Sequence, residues 1–275
     1  MKQVDTSCPE RKEDELPLNP SRIKAGLKTS LLGNECLLLD EADSTNLEIM
    51  RLARKGAEEG LVIIAKRQNH GRGRMGRHWH TFGQESLAMS VLLRPNISPD
   101  QASQLSLVAA VGVHDALSAF APKVRIKWPN DILFGRKKLA GILTEMQSEA
   151  GKVLAIVVGI GINLAPPVNG WPEEIKHKAT HLRSVSGLRP SQLDVVIQVI
   201  SCLEDAYLAY LQQGFASIRE RWWQAHAASG KSVHVHDGKT YIMGIAKELD
   251  DNGMLIIKTE TGLQRIVAGD LEIAQ

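Results

Sequence analysis

Cysteine is scarce in this chain. Cys8, Cys36 and Cys202 stand far apart and no C-x-x-C pair occurs. That excludes a disulfide framework and a zinc ribbon and suits a reducing, cytoplasmic setting. Long apolar runs are also missing. Nothing approaches the ~20 residues a membrane span needs, and residues 1–16 are polar and of mixed charge, without a signal-peptide core. Neither sign of charge is in excess. A net charge of +2 is too small to argue for sequence-independent nucleic-acid binding, which needs a clustered basic surface. No G-x-S-x-G elbow or other nucleophile motif is present. The pairs His78/His80 and His234/His236 have no third partner by spacing, so they read as surface histidines, not metal ligands.

What is present is enough for a large core. Hydrophobic residues make up 43% of 275, which allows one large domain with a small one attached. Residues 1–18 read as a disordered tail. Asn19-Pro20-Ser21 opens a short helix, and Leu37-Leu38-Leu39 reads as a buried strand. Thr45 and Glu48 have capping-box spacing ahead of a helix that ends near Gly56. Strands are expected at 61–66 and 86–93. Ser98-Pro99-Asp100-Gln101 starts a long helix to about Phe120. Then come a strand at 124–128, a hairpin around 135–138, a turn at 148–151 and a long apolar strand at 153–164 with Gly159 and Gly161 on one face. A helix follows from Ser191 to about Gln213, and a second from Phe215 to Ala227. After Gly230, short strands punctuated by Asp237-Gly238, Asn252-Gly253 and Thr261-Gly262 read as a small all-β barrel. At that size it should dock on the larger domain.

The conspicuous stretch is 68–79, where Gly71, Gly73 and Gly76 alternate with Arg72, Arg74 and Arg77 between two strands. Glycine lets backbone N–H groups approach a ligand, and arginine supplies forked donors for phosphate and carboxylate. The letters spell G-x-G-x-x-G, but an apolar strand follows instead of a helix, so the dinucleotide reading fails. No Gly-Lys-Ser/Thr closes the loop, so the P-loop reading fails too. What remains is a loop wrapping a phosphate-bearing ligand, with a solvated basic hairpin as the plain alternative.

Other residues carry two readings each. Ser44, Thr45 and Asn46 either cap a helix or present hydroxyl and amide groups to a ligand. Lys127 precedes Trp-Pro-Asn-Asp at a strand end, and Lys138 sits where a hairpin enters the next strand. A lysine there neutralises charge on phosphate and acyl oxygens, or is merely a solvated turn residue. Asn130 and Asp131 either hold Mg²⁺ through oxygen or bond their own backbone in a turn.

Five segments in order carry a resemblance: Asp-Ser-Thr-Asn at 43–46, Gln68 with Gly-Arg-Gly-Arg-Met-Gly-Arg-His-Trp at 71–79, Lys-Trp-Pro-Asn-Asp at 127–131, Lys-Leu-Ala-Gly-Ile-Leu at 138–143, and Gly-Ile-Gly-Ile-Asn at 159–163. Together they resemble the biotin–protein ligase family from about residue 35 to the C-terminus. The resemblance implies an α+β fold, a mixed sheet packed with helices as in class II synthetases, with a catalytic domain at 19–228 and an SH3-like barrel at 229–275. It implies ATP-dependent activation of biotin as biotinyl-5′-AMP, with Mg²⁺, and transfer to a lysine of a biotin carboxyl carrier protein. By motif, Ser44, Thr45, Asn46, Gln68, Arg72, Gly73, Arg74, Lys138 and Gly141 should contact biotin. Gly71, Arg74, Arg77, Trp79, Lys127, Asn130 and Asn163 should contact ATP or the adenylate, and Lys138, Arg72 and Arg74 should carry the chemistry. Met75 departs from the pattern where many members have another basic residue, and Thr81-Phe82 replaces a common Ser-Pro.

Some members also bind DNA through an N-terminal winged helix, which needs roughly sixty residues. Only 43 residues precede Ser44, so a single-function ligase without DNA binding is expected. Lipoate or octanoyl transfer on the same fold is the nearer alternative. A homodimer through a sheet edge stays open.

Overall fold

The computed structural model describes residues 18–187, 189–236 and 240–274. The expected tail at 1–18 (apart from Leu18) and the Asp237-Gly238 turn lie outside them. Helix α1 (Pro20–Gly26) starts where Asn19 Oδ1 accepts the Arg22 amide, followed by β1 (Cys36–Ala42), α2 (Thr45–Ala53), β2 (Val62–Gln68) and β3 (Ser86–Leu93). A 3₁₀ turn, Pro99–Ser103, leads into α3 (Gln104–Ser118), and β4 (Val124–Lys127), β5 (Asp131–Phe134), β6 (Lys137–Glu149) and β7 (Lys152–Asn163) follow. After α4 (Leu182–Val185), α5 (Gln192–Gln213) and α6 (Phe215–Ala225) come β8 (Ser232–His236), β9 (Tyr241–Leu249), β10 (Leu255–Thr259), β11 (Gly262–Ile266) and β12 (Asp270–Ile273). The sequence reading lacked α4 and β12, both only four residues long.

The architecture is α+β. A seven-stranded mixed sheet runs β1-β2-β3-β7-β6-β5-β4, with β1 and β2 parallel and the other pairs antiparallel, and a second, five-stranded antiparallel sheet runs β11-β10-β9-β8-β12. Side chains alternate across a strand, and the core divides accordingly. Val62, Ile64, Leu87, Met89, Val91, Ile156, Val158, Ile160 and Ile162 join the large core with α3, α5 and α6. Ile63, Leu92, Ala155 and Val157 face the other way, onto Ile49 and Ala53 of α2. Leu37, Leu38 and Leu39 are only half-buried, a correction to the buried-strand reading, because β1 is an edge strand.

On the α2 face the register aligns small residues. Ala88, Gly161 and Gly141 stand in one row across β3, β7 and β6, and Ser90, Gly159 and Leu143 stand in the next. Ala88, Gly161, Gly141, Gly159 and Leu143 line the floor of a trough, while Ser90 is covered by Thr45 and Asn46 of α2.

The second sheet docks on the first unit, as expected. Val233, Val235, Leu255, Ile257 and Leu271 belong to the same core cluster as α3 and α6. The joint is His226, whose ring stacks on Trp222 at 4.6 Å and whose Nδ1 lies 3.0 Å from the Ile126 carbonyl, which also accepts the Ala227 amide at 2.8 Å. Burial pushes the His226 imidazole down to about 4. The unfolded chain therefore takes up a proton between about pH 6.5 and 4 that the folded chain refuses, so stability falls as pH falls through that window. Between pH 7.5 and 5 this amounts to about 2 kcal/mol. Urea midpoints of wild type and His226→Asn at both pH values test this, since the variant should lose that part of the pH slope. An equal slope would refute it.

Candidate active site

The trough opens into a cavity of about 580 Å³ that contains nearly all the residues singled out from sequence: Ser44, Thr45, Asn46, Gln68, Arg72, Gly73, Arg74, Arg77, Trp79, Lys127, Asn130, Asp131, Lys138, Gly141 and Asn163. Gly71 is the exception. It holds the base of the loop, where a Cβ would lie 2.2 Å from the Trp79 carbonyl and 3.0 Å from Gln68 Nε2.

One end of the cavity is uncharged. Ser44 is the N-cap of α2 but makes no side-chain cap bond. The Thr45–Glu48 capping box is absent, because Thr45 lies inside the first turn and its hydroxyl is used elsewhere. Gln68 Oε1 accepts from the Thr45 amide at 2.8 Å and lies 3.1 Å from Thr45 Oγ1. Asn46 Nδ2 donates to Leu143 O at 3.2 Å and to Glu145 Oε2 at 2.7 Å. The glycines of β7 make this packing feasible. A Cβ on Gly159 would sit 2.3 Å from Asn46 Oδ1, and one on Gly161 would sit 2.2 Å from the Trp79 ring. The glycine pair read as a mark of close approach thus admits Asn46 and Trp79.

The other end is cationic. Asp131 ties two lysines together, Lys138 Nζ at 2.6 Å from Oδ1 and Lys127 Nζ at 3.6 Å from Oδ2. The hairpin explains this, since Asp131 opens β5 and Lys138 sits at the start of β6 beyond the turn. The Lys138 backbone is fixed by Lys178 and Thr180, through bonds of 2.7 and 2.9 Å. Its ammonium stands 5.5 Å from the centroid of the Trp79 ring. Asn163 Nδ2 donates to Thr180 O at 2.9 Å, so it supports this corner through the backbone. Asn130 Nδ2 bonds Ile142 O at 2.6 Å and its Oδ1 accepts from Arg74 at 3.2 Å. Arg74 also reaches the Gly269 carbonyl, and Arg77 pairs with Asp270. Burial lowers the Arg74 guanidinium from its ordinary value, with Asp270 and Asp131 opposing. A partly desolvated guanidinium still carries its charge and binds an anion strongly. Arg72 is more exposed and lies 3.7 Å from Glu145.

Magnesium is the ion the resemblance implied. Asp131 is committed to two lysines, and among the described residues no group of three or more His, Cys, Asp or Glu could hold a metal. The residues do not fit a protein-built magnesium site. The counter-charge here is lysine and arginine. Of the histidines, His78 is exposed, and His80 lies 3.4 Å from Glu174.

The sequence reading missed Ser90, Glu145, Trp171, Lys178, Gly269 and Asp270. Trp171 and Lys178 come from the proline-rich loop and line the cavity with Asp270. Ser90 lies inside an otherwise apolar strand, and no local pattern marks it.

Comparison with known proteins agrees with this geometry. Residues 40–163 match the Biotin/lipoate A/B protein ligase family, and residues 228–273 match the Biotin protein ligase C terminal domain. The chain is 37% identical to the bifunctional ligase/repressor BirA of Bacillus spizizenii, over 93% of this chain and 79% of that one. It is 36% identical to the biotin–[acetyl-CoA-carboxylase] ligase of Paracoccus denitrificans, over 85% of this chain and 98% of that one. Among solved structures it resembles the biotin protein ligase of Aquifex aeolicus in complex with biotin and ATP, with a TM-score of 0.73 and 30% identity, over 88% of this chain and 99% of that one. The chain belongs to the biotin protein ligase family and is an enzyme of that ligase class.

Proposed function

We propose that this enzyme activates biotin with ATP as biotinyl-5′-AMP and passes the biotinyl group to a lysine of a biotin carboxyl carrier protein. The observation that carries the reading is a single cavity with an uncharged hydrogen-bonding end and a cationic end beneath a Gly-Arg loop. A cyclic urea has both N–H donors and a carbonyl acceptor. Thr45 Oγ1, Ser44 Oγ and the Gln68 amide can meet them, with Asn46 holding that wall. The valeryl chain would lie along the small-residue floor toward Lys138. There the biotin carboxylate attacks the α-phosphorus of ATP, and the bond to pyrophosphate breaks. Lys138, Lys127, Arg74 and Arg77 cancel the repulsion between carboxylate and polyphosphate. Arg72 and Gly73 close over the acyl group, while Trp79, Asn130 and Asn163 frame the nucleotide side. In the second step the carrier lysine, as a free amine, attacks the acyl carbon. AMP leaves with the electron pair of the C–O bond, and the amine loses a proton.

Lipoate and octanoate have no N–H groups. They would leave the Thr45 and Gln68 polar atoms unpaired, which a built hydrogen-bonding site penalises heavily. Both the C-terminal family match and the relatives' names favour biotin as well. The outer edge of β6 from Thr144 onward, past its pairing with β5 and its bonds to Asn130 and Asn46, is a suitable place for the carrier or a second copy to add a strand. The reading sets the reaction in the cytoplasm. Among the described residues no helix is long and apolar enough to cross a membrane.

The test is pyrophosphate release with ATP and Mg²⁺, comparing biotin, lipoate and octanoate. Turnover with biotin alone is expected. Turnover with either of the other acids at the same rate would refute the acid assignment. A second experiment addresses the loop. Arg74→Gly removes the bonds to Asn130 and Gly269 and should raise the adenylate off-rate by about tenfold, with little change in thermal midpoint. An unchanged off-rate would remove Arg74 from retention.

A further inference from the structure

We propose that Ser90 sets the donor and acceptor polarity of the uncharged end of the cavity, and so its choice of acid, without touching the ligand. This rests on the biotin reading.

Ser90 is 0% exposed and is not among the residues lining the cavity. Its Oγ stands 2.6 Å from Asn46 Oδ1 and 2.7 Å from Thr45 Oγ1. Counting protons resolves the directions. An amide oxygen has no proton to give, so Ser90 must donate in the first contact. Its single proton is then spent, so it can only accept from Thr45, whose one proton is shared between Ser90 Oγ at 2.7 Å and Gln68 Oε1 at 3.1 Å. The Thr45 hydroxyl proton therefore points inward, toward Ser90 and the nearby Gln68 Oε1, and the Thr45 lone pairs remain for a ligand N–H. Asn46 is locked by the same count. Its oxygen takes the Ser90 proton, and both Nδ2 protons go to Leu143 O and Glu145 Oε2. The amide cannot turn over without placing Nδ2 against Ser90 and Oδ1 against the Glu145 carboxylate.

Three features support this assignment. Gly159, in register with Ser90, leaves the space that Asn46 Oδ1 occupies. On that face of β3 Ser86, at the start of the strand, is the other polar side chain, and the Ser90 hydroxyl stands between Ala88 and Leu92. An alanine there would fit the strand equally well but would supply no proton. Ser90 is thus a positioning residue. It acts through Thr45 and Asn46, and the property it controls is which atoms the cavity offers to a urea.

Ser90→Ala tests the proposal. It removes the nearer of two inward acceptors for the Thr45 proton, leaving Gln68 Oε1 at 3.1 Å, and leaves Asn46 Oδ1 without its donor. KM for biotin should rise about 10- to 100-fold, while kcat of adenylation stays within about threefold. With octanoate, which has no N–H to read, kcat/KM should move less than about threefold, so the biotin-over-octanoate preference falls about tenfold or more. Ser90→Cys, nearly isosteric with a weak donor, should lie between and serves if the alanine variant folds poorly. A purely structural role would lower both acids together and leave the preference intact, which overturns the proposal, as does an unchanged KM for biotin. The wild-type measurements separate the two readings. A wild-type enzyme that does not prefer biotin refutes the acid assignment itself, whatever the variants do.

Discussion

Replacing Lys138 by alanine should reduce kcat for adenylation by about 10²-fold or more, the range typical for loss of one preorganised charge at a reacting centre. The argument is geometric. The Lys138 backbone is held on both sides by the segment 178–180, its side chain lies along Trp79, and its ammonium is delivered to Asp131 at the cationic end of the cavity. The ion pair with Asp131 is partly exposed and contributes little to stability, so the variant should fold. Asp131 keeps Lys127 as a partner at 3.6 Å. The loss should therefore appear in kcat, with a small change in KM for biotin, because the missing charge matters most when the carboxylate and phosphate oxygens share the pentavalent phosphorus. Single-turnover pyrophosphate release would measure it. A near-normal kcat would remove Lys138 from the chemistry.

The second large effect is expected from a residue with no functional group. Gly161→Ala places a methyl 2.2–2.5 Å from three atoms of the Trp79 indole. Backbone cannot yield there, since Gly161 is paired on both sides, to Ala88 and Gly141. The ring must leave the trough, at about 1–3 kcal/mol for overpacking. Trp79 anchors the far end of the Gly-Arg loop through its amide bond to the Gly71 carbonyl at 2.9 Å, so the loop's resting position goes with it. A loss of about 10- to 100-fold in kcat/KM for biotin is expected, together with a red shift of the tryptophan emission. Gly141→Ala should be milder, since its methyl would meet the flexible end of Lys138 at 2.9 Å and the indole edge at 3.2 Å. Equal activity of the Gly161 variant and wild type would show that the ring position does not matter.

Much of the fold was legible because its signals are local. The strands flanking the Gly-Arg loop follow from short continuous apolar runs, and the long stripe of α5 follows from helical spacing. The same holds for the loop, whose residues do converge on one cavity. What was not legible depends on register. Thr45 and Glu48 have capping spacing, yet Gln68, twenty-three residues on, draws the Thr45 hydroxyl away. Asp131 reads equally as a turn residue or a magnesium ligand until hairpin pairing brings Lys138 to it. Ser90 is one serine in an apolar strand, and its importance comes from standing opposite Gly159. Asp270 and Gly269 lie almost two hundred residues from the loop they hold, beside a strand too short to announce itself.

That last contact has a thermodynamic corollary. Arg74 and Arg77 connect the loop over the cavity to the turn and strand that end the chain's second sheet. Linkage is reciprocal. Any molecule that tightens the loop must tighten the seating of that sheet by the same free energy, and loosening the sheet must weaken the molecule's grip. The C-terminal sheet is therefore a reporter of occupancy. Proteolysis at its margins should slow when the cavity fills, and amide exchange along β12, whose Asp270 lines the cavity, should slow with it.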